Sequence, residues 1–190
     1  MSIRIAGIES ESIVDGPGFR FAVYTQGCPH ACPGCHNPQT HPFEGGRMVE
    51  AEELMDSLHA SPLNKGVTLS GGEPFCQAEE LLPFARLVRA EGMSLWAYSG
   101  YTFEQLVSDD APRGSRELLG LCDVLVDGPY VAELSSYDAH WRGSTNQRLI
   151  DLPASLAAGR AVLWRSLSTP TTKRIRMHSS AKKKSSLLNP

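Results

Sequence analysis

Residues 27–37 read Gly-Cys-Pro-His-Ala-Cys-Pro-Gly-Cys-His-Asn and hold three of the chain's five cysteines, Cys28, Cys32 and Cys35. Such crowding indicates metal or redox chemistry rather than a disulfide framework. An iron–sulfur cluster would use these three thiolates and leave its fourth iron to a remote residue or to a group that is not protein. A structural zinc with a nearby histidine as its fourth ligand is the alternative. The spacing by itself leaves both open.

Outward from this loop, short apolar runs alternate with amphipathic stretches, which is typical of an α/β chain with a parallel sheet. A predicted strand from Phe19 to Tyr24 leads into the loop, and further predicted strands lie at 67–69, 94–98 and 124–126. Six or so strand–helix units predict an incomplete (β/α)6-type barrel, because a full eightfold barrel needs about 250 residues. Functional residues are then expected at the carboxyl ends of the strands.

Short polar or glycine-containing turns follow three of these predicted strands. The first, Ser70–Pro74, reads Ser-Gly-Gly-Glu-Pro; its glycines would let the backbone approach a ligand closely, and its carboxylate suits a cationic group. Ser99–Gly100 follows the next strand, and Asp127–Gly128 follows the one after it. A hydroxyl or a carboxylate at these ends could bind a polar ligand. Taken alone, Gly-Gly-Glu-Pro favours a plain turn, and each of the other two segments is as consistent with a plain turn as with a ligand site.

Charge is distributed unevenly along the chain. Seven basic residues and no acid follow Trp164, so the first 164 residues carry 11 basic and 21 acidic side chains, a net charge of −10. An acidic body excludes nucleic-acid binding by bulk electrostatics. No apolar run approaches the ~20 residues that span a bilayer, and no secretory signal is evident. We therefore expect a cytoplasmic protein without a membrane partner, with one domain over residues 1–164 and a basic, disordered tail over residues 165–190.

Several motifs together resemble the radical S-adenosylmethionine (SAM) superfamily. The cysteine loop and the Ser70–Pro74 turn carry the general resemblance. The run 15–20, Asp-Gly-Pro-Gly-Phe-Arg, and the Cys-His-Asn at 35–37 are similar to the glycyl-radical-enzyme activases of that superfamily. Within this group, the chain is similar to activases of anaerobic ribonucleoside-triphosphate reductase at residues 98–102, 126–128 and 143–148. The resemblance implies an incomplete radical SAM barrel.

The resemblance also implies an activity and its cofactors. Cys28, Cys32 and Cys35 would hold a [4Fe-4S] cluster whose open iron binds SAM. Reductive cleavage of SAM would give a 5′-deoxyadenosyl radical, which would remove a hydrogen atom from a glycine in the large subunit of the reductase. No side chain is assigned a catalytic role, because the cofactor carries the radical. A flavodoxin-type protein would donate the electron. An activase of another glycyl radical enzyme, such as pyruvate formate-lyase, or a small-molecule radical SAM enzyme is the alternative.

The resemblance and the positions at strand ends together predict the residues that bind SAM. They are His36, Asn37, Gly71, Gly72, Glu73, Pro74, Ser99, Gly100 and Asp127. The chain departs from the superfamily at one place. Many members carry an aromatic residue just before the third cysteine, where it meets the adenine, and this chain has Gly34 there. His36 is the candidate for that contact instead.

Overall fold

A computed structural model describes residues 1–165, in which seven strands form one mixed sheet in the order β3-β1-β2-β4-β5-β6-β7. The strands are β1 (Ile3–Ser12), β2 (Arg20–Thr25), β3 (Arg47–Val49), β4 (Gly66–Gly71), β5 (Ser94–Tyr98), β6 (Val124–Asp127) and β7 (Arg148–Asp151). The central strands β2, β4, β5 and β6 run parallel. Both sides of this parallel centre continue in antiparallel strands, with β1 and β3 on one side and β7 on the other.

The described residues form five α-helices, and four of them lie between successive parallel strands. The helices are α1 (Ala51–His59), α2 (Ala78–Ala90), α3 (Phe103–Leu106), α4 (Ser115–Leu121) and α5 (Leu152–Ala158). α1 precedes β4, α2 joins β4 to β5, and α4 precedes β6. Apolar residues at helical spacing, such as Leu54 and Leu58 in α1 or Leu81 and Val88 in α2, turn a buried stripe to the sheet. None of the described helices has both the length and the apolar composition to cross a bilayer.

The two faces of the sheet differ because side chains alternate along each strand. We call one the helix face: its strand residues, such as Val67, Leu69 and Leu125, are buried in one apolar core with residues of α1, α2 and α4. We call the other the site face. It carries Thr68 and a smaller apolar cluster that includes Trp96. The Thr68 hydroxyl donates to the Asp15 carbonyl at 2.7 Å. The helices therefore stabilise the sheet from one side and leave the other face for a different use.

The expected α/β class is confirmed, and the sheet differs from the predicted one at its edges. Three helical crossovers between parallel strands replace the six or so expected units. β7 pairs with β6 in the antiparallel sense, and the described segment between them contains a short 3-10 turn at Ala132–Leu134 in place of a crossover helix. β3 and α4 were not predicted. The sequence pattern predicts a final helix and strand from Pro153 to Trp164; the helix is present as α5, and the strand is reduced to a single bridge from Ile150 to Leu163. The predicted tail lies, from residue 166 onward, outside the described residues.

Candidate active site at the carboxyl edge of the sheet

The carboxyl ends of the four parallel strands meet at one edge of the sheet, where a cavity of about 190 Å³ lies. Residues that follow each strand line it: Cys28 after β2, Gly72 after β4, Ser99 after β5 and Gly128 after β6. Parallel α/β sheets bind ligands at this edge, because the loops that leave the strands there converge. The position predicted for the site from the strand pattern is the position of the cavity.

All three cysteines of the 27–37 loop line this cavity. Two backbone hydrogen bonds close the loop at its base: the Gly27 N–H donates to the Thr40 carbonyl at 2.8 Å, and the Cys28 N–H to the His41 carbonyl at 3.0 Å. Within the loop, the Asn37 N–H donates to Cys35 Sγ at 3.4 Å. The backbone therefore holds the loop as a closed turn whose sulfur atoms share one space.

The Gly71–Gly72 turn is held against the cysteine loop by the backbone. The Gly72 N–H donates to the Thr25 carbonyl and the Glu73 N–H to the Gly27 carbonyl, both at 2.8 Å. A Cβ on Gly72 would lie 2.4 Å from the Gly27 oxygen. The glycines were expected to let the backbone approach a ligand. Gly72 also lets the turn after β4 pack closely against the cysteine loop. Any larger residue at this position would push the cysteine loop away from β4.

Glu73 is fully buried and joins three strand ends through its carboxylate. The carboxylate accepts hydrogen bonds from the Ser99 hydroxyl at 3.0 Å, the Gly100 N–H at 2.9 Å and the Phe75 N–H at 3.1 Å. Its fourth partner is Nε2 of His30, at a distance of 2.8 Å. In the sequence, His30 lies between the first two cysteines of the loop. A buried carboxylate is stable only when it is paired in this way. Glu73 therefore fixes the cysteine loop relative to the turns after β4 and β5.

Asp127 lies at the end of β6 with its side chain away from the cavity. It is two residues from Leu125, so the strand alternation turns both toward the helices, and Asp127 is 1% exposed. Its carboxylate accepts from the Phe103 N–H at 2.7 Å and from Nε of Arg148 at 2.9 Å. Both oxygens are thus occupied by groups of the protein. Asp127 therefore binds the start of α3 and an arginine of β7, and its carboxylate does not face the cavity.

The segment after β6 forms a wall of the cavity that sequence reasoning did not assign to SAM. Tyr130, Gly143 and Gln147 line the cavity, and the Tyr130 ring lies 4.8 Å from the His36 ring. Gln147 holds the wall together: its amide donates to the Gly128 carbonyl at 2.9 Å and its oxygen accepts from the Gly143 N–H at 2.8 Å. In the sequence, the polar stretch 143–148 contributes only to the family resemblance. Nothing local in the sequence tells that it returns to the edge of β6.

The predicted SAM-binding residues fall into two groups. The first group lines the cavity together with the cysteines: His36, Asn37, Gly71, Gly72, Ser99 and Gly100. The second group is buried behind the lining: Glu73, Pro74 and Asp127. Members of the second group can act on a bound ligand only through the residues in front of them.

The cavity suits an iron–sulfur cluster by the chemistry of its donors. Thiolates are the usual ligands of such clusters, and three cysteines line the cavity. Burial raises the pKa of the Cys28 thiol, so this thiol must lose a proton when iron binds. Within residues 1–165, no three metal-ligating side chains converge on one ion position, whereas a cluster binds each thiolate to a separate iron. His41 also lines the cavity, and its Nε2 is buried without a hydrogen-bond partner among the described residues.

Comparison with known proteins identifies the cluster and the family. The family model of a "4Fe-4S single cluster domain" matches residues 14–150. The anaerobic ribonucleoside-triphosphate reductase-activating protein of Haemophilus influenzae is 33% identical over 143 residues, which cover 71% of this chain and 89% of the relative. The protein of the same name from Escherichia coli K12 is 32% identical over 71% of this chain and 90% of the relative. The enterobacteria phage T4 protein is 35% identical over 72% of this chain and 86% of the relative.

The chain belongs to the anaerobic ribonucleoside-triphosphate reductase-activating protein family. Membership settles the alternatives left open by the cysteine spacing, because the family carries a [4Fe-4S] cluster and not a zinc ion. The protein is a radical SAM oxidoreductase, and the expected cofactors, the cluster and SAM, are confirmed. Among solved structures, the crystal structure of QueE from Escherichia coli matches at 14% identity with a TM-score of 0.46, over 70% of this chain and 74% of that chain.

Proposed function

We propose that this protein generates a glycyl radical on the large subunit of an anaerobic ribonucleoside-triphosphate reductase, and that it consumes SAM in doing so. One observation carries the proposal. Three cysteines and the turns after β4 and β5 line a single cavity, in a chain 32% to 36% identical to activating proteins of this reductase. The chain matches about nine tenths of the length of those relatives. The family model matches residues 14–150, which include every residue that lines the cavity.

Cys28, Cys32 and Cys35 are the residues that would hold three irons of the cluster, with the fourth iron open to SAM. When bound and reduced, the cluster supplies the electron that cleaves SAM, and the resulting radical removes a hydrogen atom from the reductase glycine. No side chain of this protein exchanges an electron or a proton in that chemistry. The contribution of the chain is to orient the cofactors and to exclude water from them.

SAM is held by the residues that line the cavity. Backbone groups of Gly71 and Gly72 bind its methionine part. Ser99, Gly100 and Asn37 line the same cavity and contact the rest of the molecule. His36 and Tyr130 form an aromatic pair that contacts the adenine. This pair replaces the aromatic side chain that many members of the superfamily carry at the position of Gly34. Glu73 and Pro74 contribute indirectly, by fixing the turn after β4. We assign Asp127 a supporting role as well, because it positions Arg148 and the start of α3.

The remaining parts of the proposal concern the whole molecule. We propose that residues 1–164 act as one catalytic domain, and that the sheet corresponds to an incomplete (β/α)6-type barrel. The open side of such a barrel would admit a protein substrate. A flavodoxin-type protein is the proposed electron donor. The cytoplasm is the proposed compartment, because it keeps the cysteine thiols reduced until the cluster is assembled.

Electron paramagnetic resonance tests the activity directly. The anaerobically reconstituted protein is mixed with SAM, a chemical reductant and the large subunit of the reductase, and the glycyl doublet is expected in the spectrum. Pyruvate formate-lyase in place of the reductase serves as the matched partner control and should give no doublet. If SAM is cleaved to 5′-deoxyadenosine but only pyruvate formate-lyase acquires the doublet, the protein activates a different enzyme.

A further inference from the structure

The connection between β6 and β7 begins and ends at the cysteine cavity. We call its first residues, 128–131, the rim segment, and its last residues, 143–147, the clamp. Gly128 and Tyr130 of the rim segment line the cavity, and so do Gly143 and Gln147 of the clamp. One wall of the cavity therefore depends on how the two ends of this connection are held together.

Three side chains of the clamp bind the backbone of the rim segment. The hydrogen bonds run from Gln147 Nε2 to the Gly128 carbonyl (2.9 Å), from Asn146 Nδ2 to the Pro129 carbonyl (2.8 Å), and from the Val131 N–H to the Ser144 hydroxyl (3.1 Å). These bonds fix the backbone immediately before and after Tyr130. The clamp therefore sets the position of Tyr130 in the cavity wall.

Gln147 is the central residue of the clamp. It is buried, and its amide oxygen accepts from the Gly143 N–H at 2.8 Å and from the Ser144 N–H at 3.2 Å, in addition to the bond that its amide donates to the rim segment. Removal of this side chain would leave backbone groups of both segments without their partners, which is costly at a buried position. Gln147 thus joins the shape of the clamp to the position of the rim segment.

The Tyr130 ring packs against both the clamp and the cysteine loop. A Cβ on Gly143 would lie 2.9 Å from the ring, so the clamp backbone approaches it closely. In the cysteine loop, the His36 ring lies with its centre 4.8 Å from that of Tyr130 and its plane inclined by 52°. An aromatic ring at the wall of a cavity offers a flat surface on which a purine base can stack. A ring that is already fixed binds the base at a smaller entropic cost than a mobile ring.

We infer that Gln147 is a positioning residue for SAM, because it holds the Tyr130 ring where the ring stacks on the adenine. The inference rests on the proposed function, which places SAM in the cysteine cavity. Gln147 acts through the ring, since its amide oxygen already accepts two hydrogen bonds from the clamp backbone. The clamp then contributes to the binding of the adenosine part of SAM. Binding of the methionine part, which is assigned to Gly71 and Gly72, does not depend on it.

Two ligands separate these parts: SAM, and S-methylmethionine, a sulfonium with the same amino-acid part and no adenosine. Their dissociation constants are measured by isothermal titration calorimetry on the anaerobically reconstituted protein, before reduction, so that SAM stays intact. The ratio of the constant for S-methylmethionine to that for SAM reports the contribution of the adenosine. Gln147→Ala should lower this ratio roughly tenfold, since the backbone groups that fix the ring lose their partners. Tyr130→Ala should lower it by a similar factor, because the stacking surface is lost.

Two further variants show whether the effect passes through the clamp. The combination Gln147→Ala/Tyr130→Ala should lower the ratio no further than Tyr130→Ala alone, because both changes remove the same contact. Asn146→Ala changes an exposed residue of the clamp, so it tests the clamp without emptying a buried position. It should lower the ratio roughly threefold, as for the loss of one ordinary hydrogen bond.

Gln77→Ala is the matched control, because Gln77 is a partly buried glutamine just before α2 whose amide also binds the backbone. The amide donates to the carbonyls of Arg4 and Gln26 and accepts from the Arg4 N–H. Its removal should lower the thermal stability and leave the ratio at the wild-type value. An equal fall of the ratio in Gln77→Ala would mean that general loosening of the fold weakens adenosine binding, which overturns the inference.

The outcomes separate the inference from the proposed function. If the wild-type protein does not bind SAM, both fail. If it cleaves SAM but makes no glycyl radical on the reductase, the proposed function fails, and the ratios still decide the inference. If the wild-type protein binds SAM and both Gln147→Ala and Asn146→Ala keep the wild-type ratio, only the inference is overturned. If Tyr130→Ala keeps that ratio, the adenine does not stack on this ring, which also overturns the inference.

Discussion

The helix face and the site face of the sheet are built from the same strands but carry different residues. On β4, Val67 and Leu69 enter the helix-covered core. Thr68 and Ser70, which alternate with them along the strand, belong to the site face, and Ser70 lines the cysteine cavity. On β5, Leu95 and Ala97 face the helices, whereas Tyr98 lines the cavity. The comparison separates the two requirements of the fold. One face supplies apolar burial, and the other supplies polar anchors for the segments around the site.

Arg20 illustrates the polar character of the site face. It is 1% exposed and donates to the Thr68 hydroxyl at 2.9 Å and to the Ser94 hydroxyl at 2.7 Å, with its guanidinium 5.4 Å from the centre of the Trp96 ring. Burial lowers its pKa to about 10, so the side chain still carries its charge at neutral pH. Such a residue would be costly among the leucines of the helix face, where no such partners exist.

The largest difference between the faces is expected for cysteines. Cys32→Ala at the cavity should abolish cluster assembly and SAM cleavage, because one of the three proposed thiolate ligands is lost. Cys122→Ala, in the core of the helix face, should keep both and cost only about 1 kcal/mol of stability, because it removes a small buried side chain. Iron and sulfide analysis with 5′-deoxyadenosine quantification checks the pair. A Cys32→Ala protein with full iron content and full activity would contradict the assignment of the cluster ligands.

The second difference concerns stability. Leu69→Ala opens a cavity in the helix face and should lower the free energy of unfolding by about 3 kcal/mol. Ser70→Ala, at the next position on the same strand, should change it by less than about 1 kcal/mol, because no large apolar contact is lost. Urea denaturation of the apoprotein measures both. Equal losses of unfolding free energy in the two variants would contradict the view that the helix face supplies most of the apolar burial.

The third difference uses two histidine–glutamate pairs. His30 and Glu73 join at 2.8 Å at the buried strand ends, and His59 and Glu91 join at 2.7 Å on the exposed surface of the helix layer. His30→Ala should weaken SAM binding about tenfold, since it releases a hydrogen bond to a buried carboxylate that fixes the cysteine loop. His30→Gln retains a donor and should restore part of the affinity.

His59→Ala is the matched control for that measurement and should leave SAM binding unchanged, because exposed ion pairs contribute little. Titration of reconstituted protein with SAM gives the dissociation constants, and iron content shows that the variants carry the cluster. Equal affinities of His30→Ala and wild type would show that the His30–Glu73 contact does not set the geometry of the SAM site.

The smallest effect is expected from a glycine in the helix layer. Gly120 in α4 has open space around the position of a Cβ, so Gly120→Ala should stabilise the protein by about 0.5–1 kcal/mol. At Gly100 the same substitution would place a Cβ 2.3 Å from the His30 ring and should weaken SAM binding instead. Thermal denaturation and SAM titration are measured for both variants, one in the helix layer and one at the cavity. Stabilisation by Gly100→Ala without loss of affinity would show that the His30 ring is free to move.

Local signals predicted many of the elements correctly. The helical spacing of Leu81, Ala85 and Val88 predicts a helix from about Ala78 to Glu91, which is observed as Ala78–Ala90. Gln105, three residues after Thr102, predicts a capped short helix, and the capping box is present at α3. Both depend on residues within a few positions of one another, which sequence spacing reads directly. The cysteine loop belongs to the same category, because its three thiols are local.

Long-range contacts were not predictable in the same way. Glu73 was expected to face a ligand, but its partners come from positions up to 43 residues away, at His30, Ser99 and Gly100. Tyr130 and Gln147 reach the cavity because the segment after β6 folds back over the site face before β7 pairs in the antiparallel sense. No periodicity in the sequence encodes that return.

The sequence by itself determined the thiol triad, the alternation of strands with helices and the edge of the sheet where a site should lie, because these follow from spacing along the chain. Only the tertiary structure decided which polar residues line the cavity and which stand behind it. The physical reason is the two-residue repeat of a strand together with packing: one position decides whether a carboxylate such as Asp127 turns to the helices or to the site. That choice is made by contacts between residues far apart in the chain, which no local pattern records.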